Sequence, residues 1–406
     1  MQTTLAGFIR DTRQGREAET ILRKCVHCGF CNASCPTYQV LGDELDGPRG
    51  RIYLVKQVLE GVEPTAKTRL HLDRCLTCLS CETTCPSGVQ YGRLLDIGRG
   101  IVERKTRRGI GERALRGLLA FVLPRRALFG FLLGLGRAFR PLLPAPLREK
   151  VHPRGTAAGP WPAPRHARRL LALGGCVQPA LAPEINAAAA RVLDRIGISL
   201  VEAGGAGCCG ALRFHLNDHE GGKADMRALV AAWAPQLEGG AEGIAFTASG
   251  CGAMIAEYGH LLEGEAGASR VAAAARDISQ LIEAEAEAIG RLLPAGRKLG
   301  RVALHSPCTL QHGLRIKGTV ERLLERAGYE LAPVRDAHLC CGSAGAYSLL
   351  QPGISTELRG RKLAALAEGE PAQIATANIG CLAHLQAGTT TPVRHWIQLL
   401  EEALQP

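Results

Sequence analysis

The chain has 406 residues, of which 46% are hydrophobic, so it can form two or three domains with buried cores. Its formal net charge is +11, and the segment from Arg99 to Arg169, with 17 Lys/Arg against 3 Glu, supplies all of this excess. No recognition motif accompanies the basic charge, which argues against nucleic-acid binding. The first 20 residues lack the pattern of a secretory signal, so we expect a cytoplasmic protein whose 16 cysteines serve metal or redox chemistry.

Half of the cysteines lie in two short runs that share one spacing. Residues 24–36 read KCVHCGFCNASCP and residues 74–86 read RCLTCLSCETTCP, so both follow C-x2-C-x2-C-x3-C-P. In bacterial ferredoxins with this pattern, the fourth cysteine of each run binds the other run's [4Fe–4S] cluster. The expected ligands are Cys25, Cys28, Cys31 and Cys85 for cluster 1, and Cys75, Cys78, Cys81 and Cys35 for cluster 2. Structural zinc is the alternative, but zinc sites usually pair two C-x2-C hooks.

The spacing therefore predicts a helical, ferredoxin-like domain with two [4Fe–4S] clusters over residues 1–100. Between the runs, RGRIYLVKQVLEGVE has the period of an amphipathic helix that packs beneath the clusters. Residues 101–166 are predicted to be a basic, apolar, helical linker without the roughly 18 uncharged residues of a membrane span. Two interpretations of the linker stay open: an in-plane helix on an anionic membrane, or a docking surface for a partner subunit.

The other eight cysteines form a duplicated pattern around a CCG motif. The first copy contains Cys176, Cys208, Cys209 and Cys251, and the second contains Cys308, Cys340, Cys341 and Cys381. The first interval is 32 residues in both copies, and the second is 43 or 41 residues. Strand-like and helical stretches alternate, which predicts parallel strands with ligands beyond their carboxyl ends. We expect one α/β repeat over residues 167–290 and another over 291–406, which places the whole chain in the α+β to α/β class.

The pattern leaves open what these eight cysteines hold. A further iron–sulfur cluster is one interpretation, and the others are zinc, metal-free redox thiols or vestigial cysteines. His305, His338 and His384 lie near the cysteines and are candidates for hydrogen-bond donors around such a site. The G-x-G-x-x-G match at 205–210 has no counterpart in the second copy and is weak evidence of nucleotide binding. We therefore expect no flavin site on this chain.

With both halves considered, the chain resembles the iron–sulfur subunits of glycolate oxidase over nearly its whole length. Besides the cysteine patterns, the resemblance rests on ELDGPRGRIYLVKQVLEG, HSPCTLQHGLR and LCCGSAGAYSLLQP. It implies a multi-subunit enzyme that oxidises glycolate, and often D-lactate, with FAD in a partner subunit and membrane quinone as the acceptor. For this chain it implies electron transfer, no catalytic residue, and a peripheral position on the inner face of the cytoplasmic membrane.

The chain departs from one group of relatives at the end of each repeat. In heterodisulfide reductase subunits a repeat ends in C-x-x-C, whereas Met254 and His384 occupy the last position here. Five-cysteine clusters therefore cannot be carried over intact. The alternatives to glycolate oxidation are a subunit of a D-lactate or glycerol-3-phosphate dehydrogenase, a thiol/disulfide reductase that reacts at a paired cysteine, and a docking scaffold.

Overall fold

The N-terminal region is helical, as the spacing predicts. The computed structural model describes residues 1–142, 148, 151, 157–294 and 296–405. The first helices are Arg13–Lys24, Phe30–Ala33, Pro36–Leu41, Pro48–Leu59, Ala66–Asp73, Ser80–Thr84 and Tyr91–Lys105, with a 3-10 turn at Glu44–Asp46. Pro36 and Pro48 occupy the first position of their helices, where the missing amide hydrogen removes no helical hydrogen bond.

The helix Pro48–Leu59, which the sequence predicts between the two cysteine runs, packs on the helix Tyr91–Lys105. Gly98 allows their close approach, because a β-carbon there would lie 2.4 Å from Val55 Cγ2. The core around this contact contains Ile21, Leu22, Ile52, Val55, Leu59, Leu94, Leu95 and Ile101. These side chains recur at helical spacing, so each helix presents one apolar face to the core.

Each C-terminal repeat contains a four-stranded, fully parallel sheet, which confirms the predicted α/β architecture. The strands are β1 (Arg168–Ala172), β2 (Ile198–Glu202), β3 (Gly243–Phe246), β4 (Ala275–Asp277), β5 (Arg301–His305), β6 (Glu330–Ala332), β7 (Gln373–Thr376) and β8 (Val393–His395). The strand orders are β2-β1-β3-β4 and β6-β5-β7-β8, so the second sheet repeats the first. In register, Leu171 lies beside Val201 and Ile244.

Helices cover both sheets. In the first repeat they are Gln178–Leu181, Glu184–Arg195, Ala211–His215, His219–Glu238, Ser249–Ala256, Tyr258–Leu261, Ala268–Ala274, Ile278–Ala284 and Ala286–Leu292. In the second they are Thr319–Arg326, Tyr347–Leu350, Pro352–Ala367, Ile379–Gln386 and Trp396–Ala403, with a π-helical turn at Thr309–Gly313. The helices Glu184–Arg195 and Trp396–Ala403 pack together, and one apolar cluster extends from Leu193 to Leu400. The two repeats therefore share a core.

Residues 110–142 of the linker are mostly helical, whereas its described residues 157–166 contain no helix. Its helices are Ile110–Val122 and Arg126–Ala138, followed by a 3-10 turn at Arg140–Leu142. Among the described residues, no single helix is long and apolar enough to cross a membrane, and these two reach that threshold only as a pair bent by 110°. Their exposed apolar side chains are Ile110, Leu115, Leu118, Phe121, Phe131, Leu132 and Leu135. The predicted linker also includes residues 143–147, 149–150 and 152–156, which lie outside the described residues.

Candidate metal centres

Five cysteines from both N-terminal runs line one cavity, and Cys81 is the one that the sequence assigns to the other cluster. We call Cys25, Cys28, Cys31 and Cys85 ferredoxin set 1. The cavity wall also contains the apolar side chains Pro48, Ile52 and Val89. Burial raises the pKa of Cys31 to about 11, so its thiol stays protonated unless a cation compensates the thiolate charge. Four thiols around an apolar cavity thus fit a metal centre, because bound iron supplies that positive charge.

The remaining cysteines of the two runs form a second group. We call Cys35, Cys75, Cys78 and Cys81 ferredoxin set 2. Burial raises the pKa of both Cys78 and Cys81, and the neighbouring thiols of the set raise it further. Cys75 Sγ accepts hydrogen bonds from the Thr77 amide and the Tyr91 hydroxyl, each at 3.5 Å. The fourth cysteine of each run therefore lies with the first three of the other run.

Both runs turn with the same backbone conformation. His27 and Thr77, each two residues after the first cysteine, have φ values of 56° and 53°. Gly29 and Leu79, each four residues after it, have φ values of 87° and 61°. Left-handed backbone is uncommon outside glycine. Its recurrence at equivalent positions shows that the two runs share one loop geometry although the residues between their cysteines differ.

A buried ionic network beside ferredoxin set 2 was not identified from the sequence. The Asp46 carboxylate contacts Arg51 at 3.4 Å, Arg74 at 2.8 Å and His71 Nδ1 at 3.1 Å. The Cys35 thiol faces the Asp46 carbonyl oxygen at 3.8 Å. Two guanidinium groups already neutralise this carboxylate, so we assign the cluster of Asp43, Asp46 and His71 a structural role rather than a cation site.

The four cysteines of the first repeat, the repeat-1 set, also meet beyond the carboxyl ends of their strands. Cys208 is in hydrogen-bonding contact with Cys176 and Cys209, and Cys209 is in contact with Cys251. Hydrogen bonds from Cys176 and Cys209 lower the pKa of Cys208, while the pKa of each donor rises. One thiolate flanked by protonated thiols suits either a metal centre or a reactive redox thiol.

The repeat-2 set comprises Cys308, Cys340, Cys341 and Cys381, which the fold likewise brings together. Cys308 Sγ and Cys340 Sγ are 3.7 Å apart, and Cys341 is in contact with Cys340 and Cys381. The Gly342 amide donates to Cys340 Sγ at 3.4 Å, and Asn378 Nδ2 donates to Cys381 Sγ at 3.5 Å. Such donors stabilise negative charge on sulfur.

The three histidines singled out in the sequence occupy different environments. A ring nitrogen of His305, Cys341 Sγ and Cys381 Sγ all lie within 4.8 Å of one another. Burial lowers the pKa of His305 to about 3, so its ring is neutral near pH 7. His384 Nε2 lies 3.3 Å from both the hydroxyl and the carbonyl oxygen of Ser355. The side chain of His338 is exposed to solvent rather than buried with the cysteines.

Ferredoxin set 2 and the repeat-2 set are neighbours, although up to 346 residues of sequence separate their cysteines. Cys78, Cys340 and Tyr347 belong to one buried cluster, with Cys308 packed against it. The Tyr347 hydroxyl donates to the Arg74 carbonyl oxygen at 2.9 Å, across 273 residues of sequence. The sequence marks Tyr347 only as part of LCCGSAGAYSLLQP, and no local pattern indicates its partner.

A histidine outside the predicted site strengthens the same junction. His312 Nδ1 lies 2.8 Å from the Thr83 hydroxyl, and His312 Nε2 lies 2.8 Å from the His338 carbonyl oxygen. It therefore links the helix Ser80–Thr84, between Cys78 and Cys85, to the loop that precedes Cys340. Because both ring nitrogens are engaged, His312 acts as a structural connector between the two cysteine-bearing regions.

The cysteine-bearing regions of this chain match known protein families. Residues 21–89 match the model of the 4Fe-4S dicluster domain, and residues 171–256 and 302–386 match that of the cysteine-rich domain. The glycolate oxidase iron–sulfur subunit of Escherichia coli strain K12 is 53% identical over the full length of both chains. The chain belongs to the glycolate oxidase iron–sulfur subunit family. The resemblance seen in the local strings is thereby confirmed.

Other members and relatives of the family cover different shares of this chain. The probable glycolate oxidase iron–sulfur subunit of Bacillus subtilis strain 168 is 31% identical, over 94% of this chain and 92% of its own. Lactate utilization protein A of Geobacillus kaustophilus is 29% identical, over 50% of this chain and 83% of its own. As a family member, the chain is an iron–sulfur protein of the oxidoreductase class with two [4Fe–4S] clusters and an electron-transfer role.

Proposed function

We propose that this chain is the electron-transfer subunit of a glycolate, or related 2-hydroxy-acid, dehydrogenase complex. It accepts electrons from an FAD-containing partner subunit and passes them toward membrane quinone. The observation that carries this proposal is the packing of Cys78 against Cys340 and Cys308, which places thiol sets from both halves of the chain side by side. The names of the full-length relatives support glycolate as the substrate of the complex.

We propose ferredoxin sets 1 and 2 as the ligands of the two clusters, and the repeat sets as ligands of at least one further iron–sulfur cluster. A [4Fe–4S] cluster, when bound, supplies one-electron chemistry at a potential set by its surroundings. The chain contributes those surroundings: it buries Cys78 and Cys81, and it directs the Thr77 amide and the Tyr91 hydroxyl at Cys75. Such hydrogen bonds tune the centre that the thiolates hold.

We also propose a four-part domain division of the chain. The parts are the ferredoxin-like domain from residue 1, the linker to residue 166, repeat 1 over 167–290 and repeat 2 over 291–406. The helix Tyr91–Lys105 continues past the expected first boundary at residue 100 and is buried in the N-terminal core. We therefore set that boundary after Thr106.

The test of electron transfer uses the complete complex with two acceptors. A dye reduced directly at the flavin reports the partner subunit, and quinone reports the whole path. In Cys78→Ala and Cys340→Ala we expect quinone reduction to fall at least tenfold while dye reduction persists. Cys208→Ala is the matched control at the CCG motif of repeat 1. Undiminished quinone reduction in both Cys78→Ala and Cys340→Ala would contradict the proposal.

A thiol/disulfide reductase is the second candidate, favoured by the lowered pKa of Cys208, which its hydrogen bonds from Cys176 and Cys209 cause. A thiolate beside a second cysteine can attack a disulfide and be resolved by its neighbour. Disulfide turnover by the isolated chain with a chemical reductant, abolished in Cys208→Ser and retained in Cys340→Ser, would support this function. If the isolated chain did not reduce disulfides, the thiol/disulfide reductase function would be excluded.

We propose that the bent helix pair Ile110–Val122 and Arg126–Ala138 contacts the membrane surface peripherally, at the inner face of the cytoplasmic membrane. Phe131 and Leu118 are 67% and 59% exposed, and Arg125 and Arg126 lie at the bend. Exposed apolar groups next to cations favour the interface of an anionic bilayer. Phe131→Glu should weaken co-sedimentation with anionic vesicles, whereas Val62→Glu, an exposed apolar site elsewhere, should not. Equal binding of both variants would contradict this contact.

A further inference from the structure

We propose that His305 is a nitrogen ligand of the metal centre held by the repeat-2 set. The centre would then have mixed thiolate and imidazole ligation. This inference rests on the proposed function only in that repeat 2 holds an iron–sulfur cluster. It adds a residue and a donor type that the cysteine spacing does not indicate.

The first argument is the position of the imidazole ring. His305 is the last residue of β5, three residues before Cys308. One of its ring nitrogens, Cys341 Sγ and Cys381 Sγ all lie within 4.8 Å of one another. The protein donors of one iron–sulfur centre would bind the same iron or neighbouring irons, so they must lie within a few ångströms of one another. The three donors are therefore close enough to belong to one centre after small side-chain adjustments.

The second argument is that the described part of the chain offers the ring no hydrogen-bond partner. His305 is 1% exposed, and neither of its nitrogens has a hydrogen-bond partner among the described residues. A buried polar group without a partner costs free energy, on the order of 1–3 kcal/mol. The other buried histidines of this repeat are engaged: His395 Nε2 lies 2.8 Å from the Thr247 carbonyl oxygen, and His384 contacts Ser355. A metal ion bound at a ring nitrogen would satisfy His305.

The third argument comes from the duplicated fold. The position three residues before Cys176, which corresponds to His305, is Leu173 in repeat 1. Leu173 is 4% exposed and packs in the apolar cluster of that repeat. The fold thus accepts an apolar side chain at this position, so packing alone does not require a histidine. A histidine in the repeat that contacts ferredoxin set 2 indicates a function at the repeat-2 centre.

The test uses the full chain, purified anaerobically, with iron analysis and pulsed electron paramagnetic resonance in the oxidised and reduced states. We expect the wild type to show the coupling of a directly bound nitrogen, which changes on ¹⁵N-histidine labelling. His305→Ala should lose that coupling. It should also lose part of the iron that the protein holds in excess of the two ferredoxin clusters. Leu173→Ala, the matched change in repeat 1, should retain both.

A second variant covers the case in which His305→Ala fails to fold. His305→Cys replaces one metal donor by another, so we expect it to keep the iron and lose the histidine-nitrogen coupling. Persistence of the coupling in either His305 variant would overturn the proposal, as would a wild type without it in both redox states. This readout does not depend on glycolate, partner or quinone, so its failure is distinct from a failure of the electron-transfer assay.

Discussion

At the scale of single residues, burial determines how the thiols behave. Ferredoxin set 1 includes the exposed Cys28, whereas Cys78 and Cys81 of set 2 are buried. Burial raises the pKa of the buried thiols, which then ionise readily only when a cation is present. The same difference in exposure controls how easily a chelator or oxidant reaches each set.

Exchange of the fourth cysteine between the runs can be tested through this difference. Cys85→Ala should empty the set that contains Cys28, and Cys35→Ala should empty the buried set. Each variant should lose about four of the roughly eight iron ions that two [4Fe–4S] clusters hold. The iron left in Cys35→Ala should be removed faster by a hydrophilic chelator than the iron left in Cys85→Ala. The reverse order of rates would indicate that each run binds its own cluster.

Asp277 should make stability depend on pH. Burial raises its pKa to about 6, above the value of about 3.9 in unfolded chains. The stabilisation from its neutral form is therefore complete below about pH 4 and is lost as pH rises through about 6. Asn in its place is always neutral and can still accept from the Ser279 amide, as Asp277 does at 2.9 Å.

We therefore expect Asp277→Asn to stabilise the protein at pH 7.5 by roughly 1–3 kcal/mol relative to wild type. The gain should be much smaller near pH 4, where Asp277 is protonated in the folded chain and about half protonated in the unfolded chain. Thermal unfolding of both proteins at the two pH values measures the difference. The same gain at both values would contradict the shifted ionisation of Asp277.

At the scale of secondary-structure elements, close helix packing holds the ferredoxin-like region together. The helix pair Pro48–Leu59 and Tyr91–Lys105 meets at Gly98 and Val55. These two helices contain no cysteine, and the cysteines lie in the segments before and after them. The positions of set 1 and set 2 therefore depend on how the two helices pack. A small change at the helix contact should therefore shift the cysteines of both sets.

Gly98→Ala should destabilise the N-terminal region by roughly 1–3 kcal/mol, because its new methyl group would overlap Val55. Removing the opposing side chain should relieve this overlap. In the double variant Gly98→Ala/Val55→Ala, the loss should be smaller than the sum of the two single losses. Chemical unfolding followed by helical circular dichroism provides all four values. Additive losses would show that the overlap is absorbed elsewhere.

At the scale of the whole molecule, the two repeats act as one body because they share a core. The cluster that contains Trp396 includes residues of both sheets, such as Leu200 of β2 and Val302 of β5. Trp233 is equally buried but lies in a cluster formed by repeat 1. Trp396 and Trp233 therefore allow the same side chain to be compared in the core that both repeats share and in the core of repeat 1.

Trp396→Ala should increase amide hydrogen exchange in the strands of both repeats, since truncating a buried tryptophan costs about 3–5 kcal/mol. Trp233→Ala should increase exchange mainly in repeat 1. Hydrogen exchange followed by mass spectrometry resolves the two sheets. If Trp396→Ala affected repeat 2 alone, the shared core would not couple the repeats.

Much of the candidate site could be anticipated, because iron–sulfur ligation depends on short intervals between cysteines. The spacing of the runs around Cys25 and Cys75 directly predicts that the cysteines lie on loops, that the metal donors are thiolates, and which cysteines belong to each cluster. The repeat around Cys208 and Cys340 predicts parallel strands, because each cysteine follows an apolar stretch of strand length. The ring environment of His305 could not be read in this way, since its partners come from elements up to 76 residues away.

The sequence by itself determined the chemistry of this protein: which thiols are present, how they are spaced, and which family the local strings resemble. Only the tertiary structure decided the contact between Cys78 and Cys340, the lack of a hydrogen-bond partner for His305 among the described residues, and the core shared by the repeats. The physical reason is the range of the interactions. Ligand spacing and helix periodicity act over a few residues, whereas burial and packing join side chains that lie hundreds of residues apart.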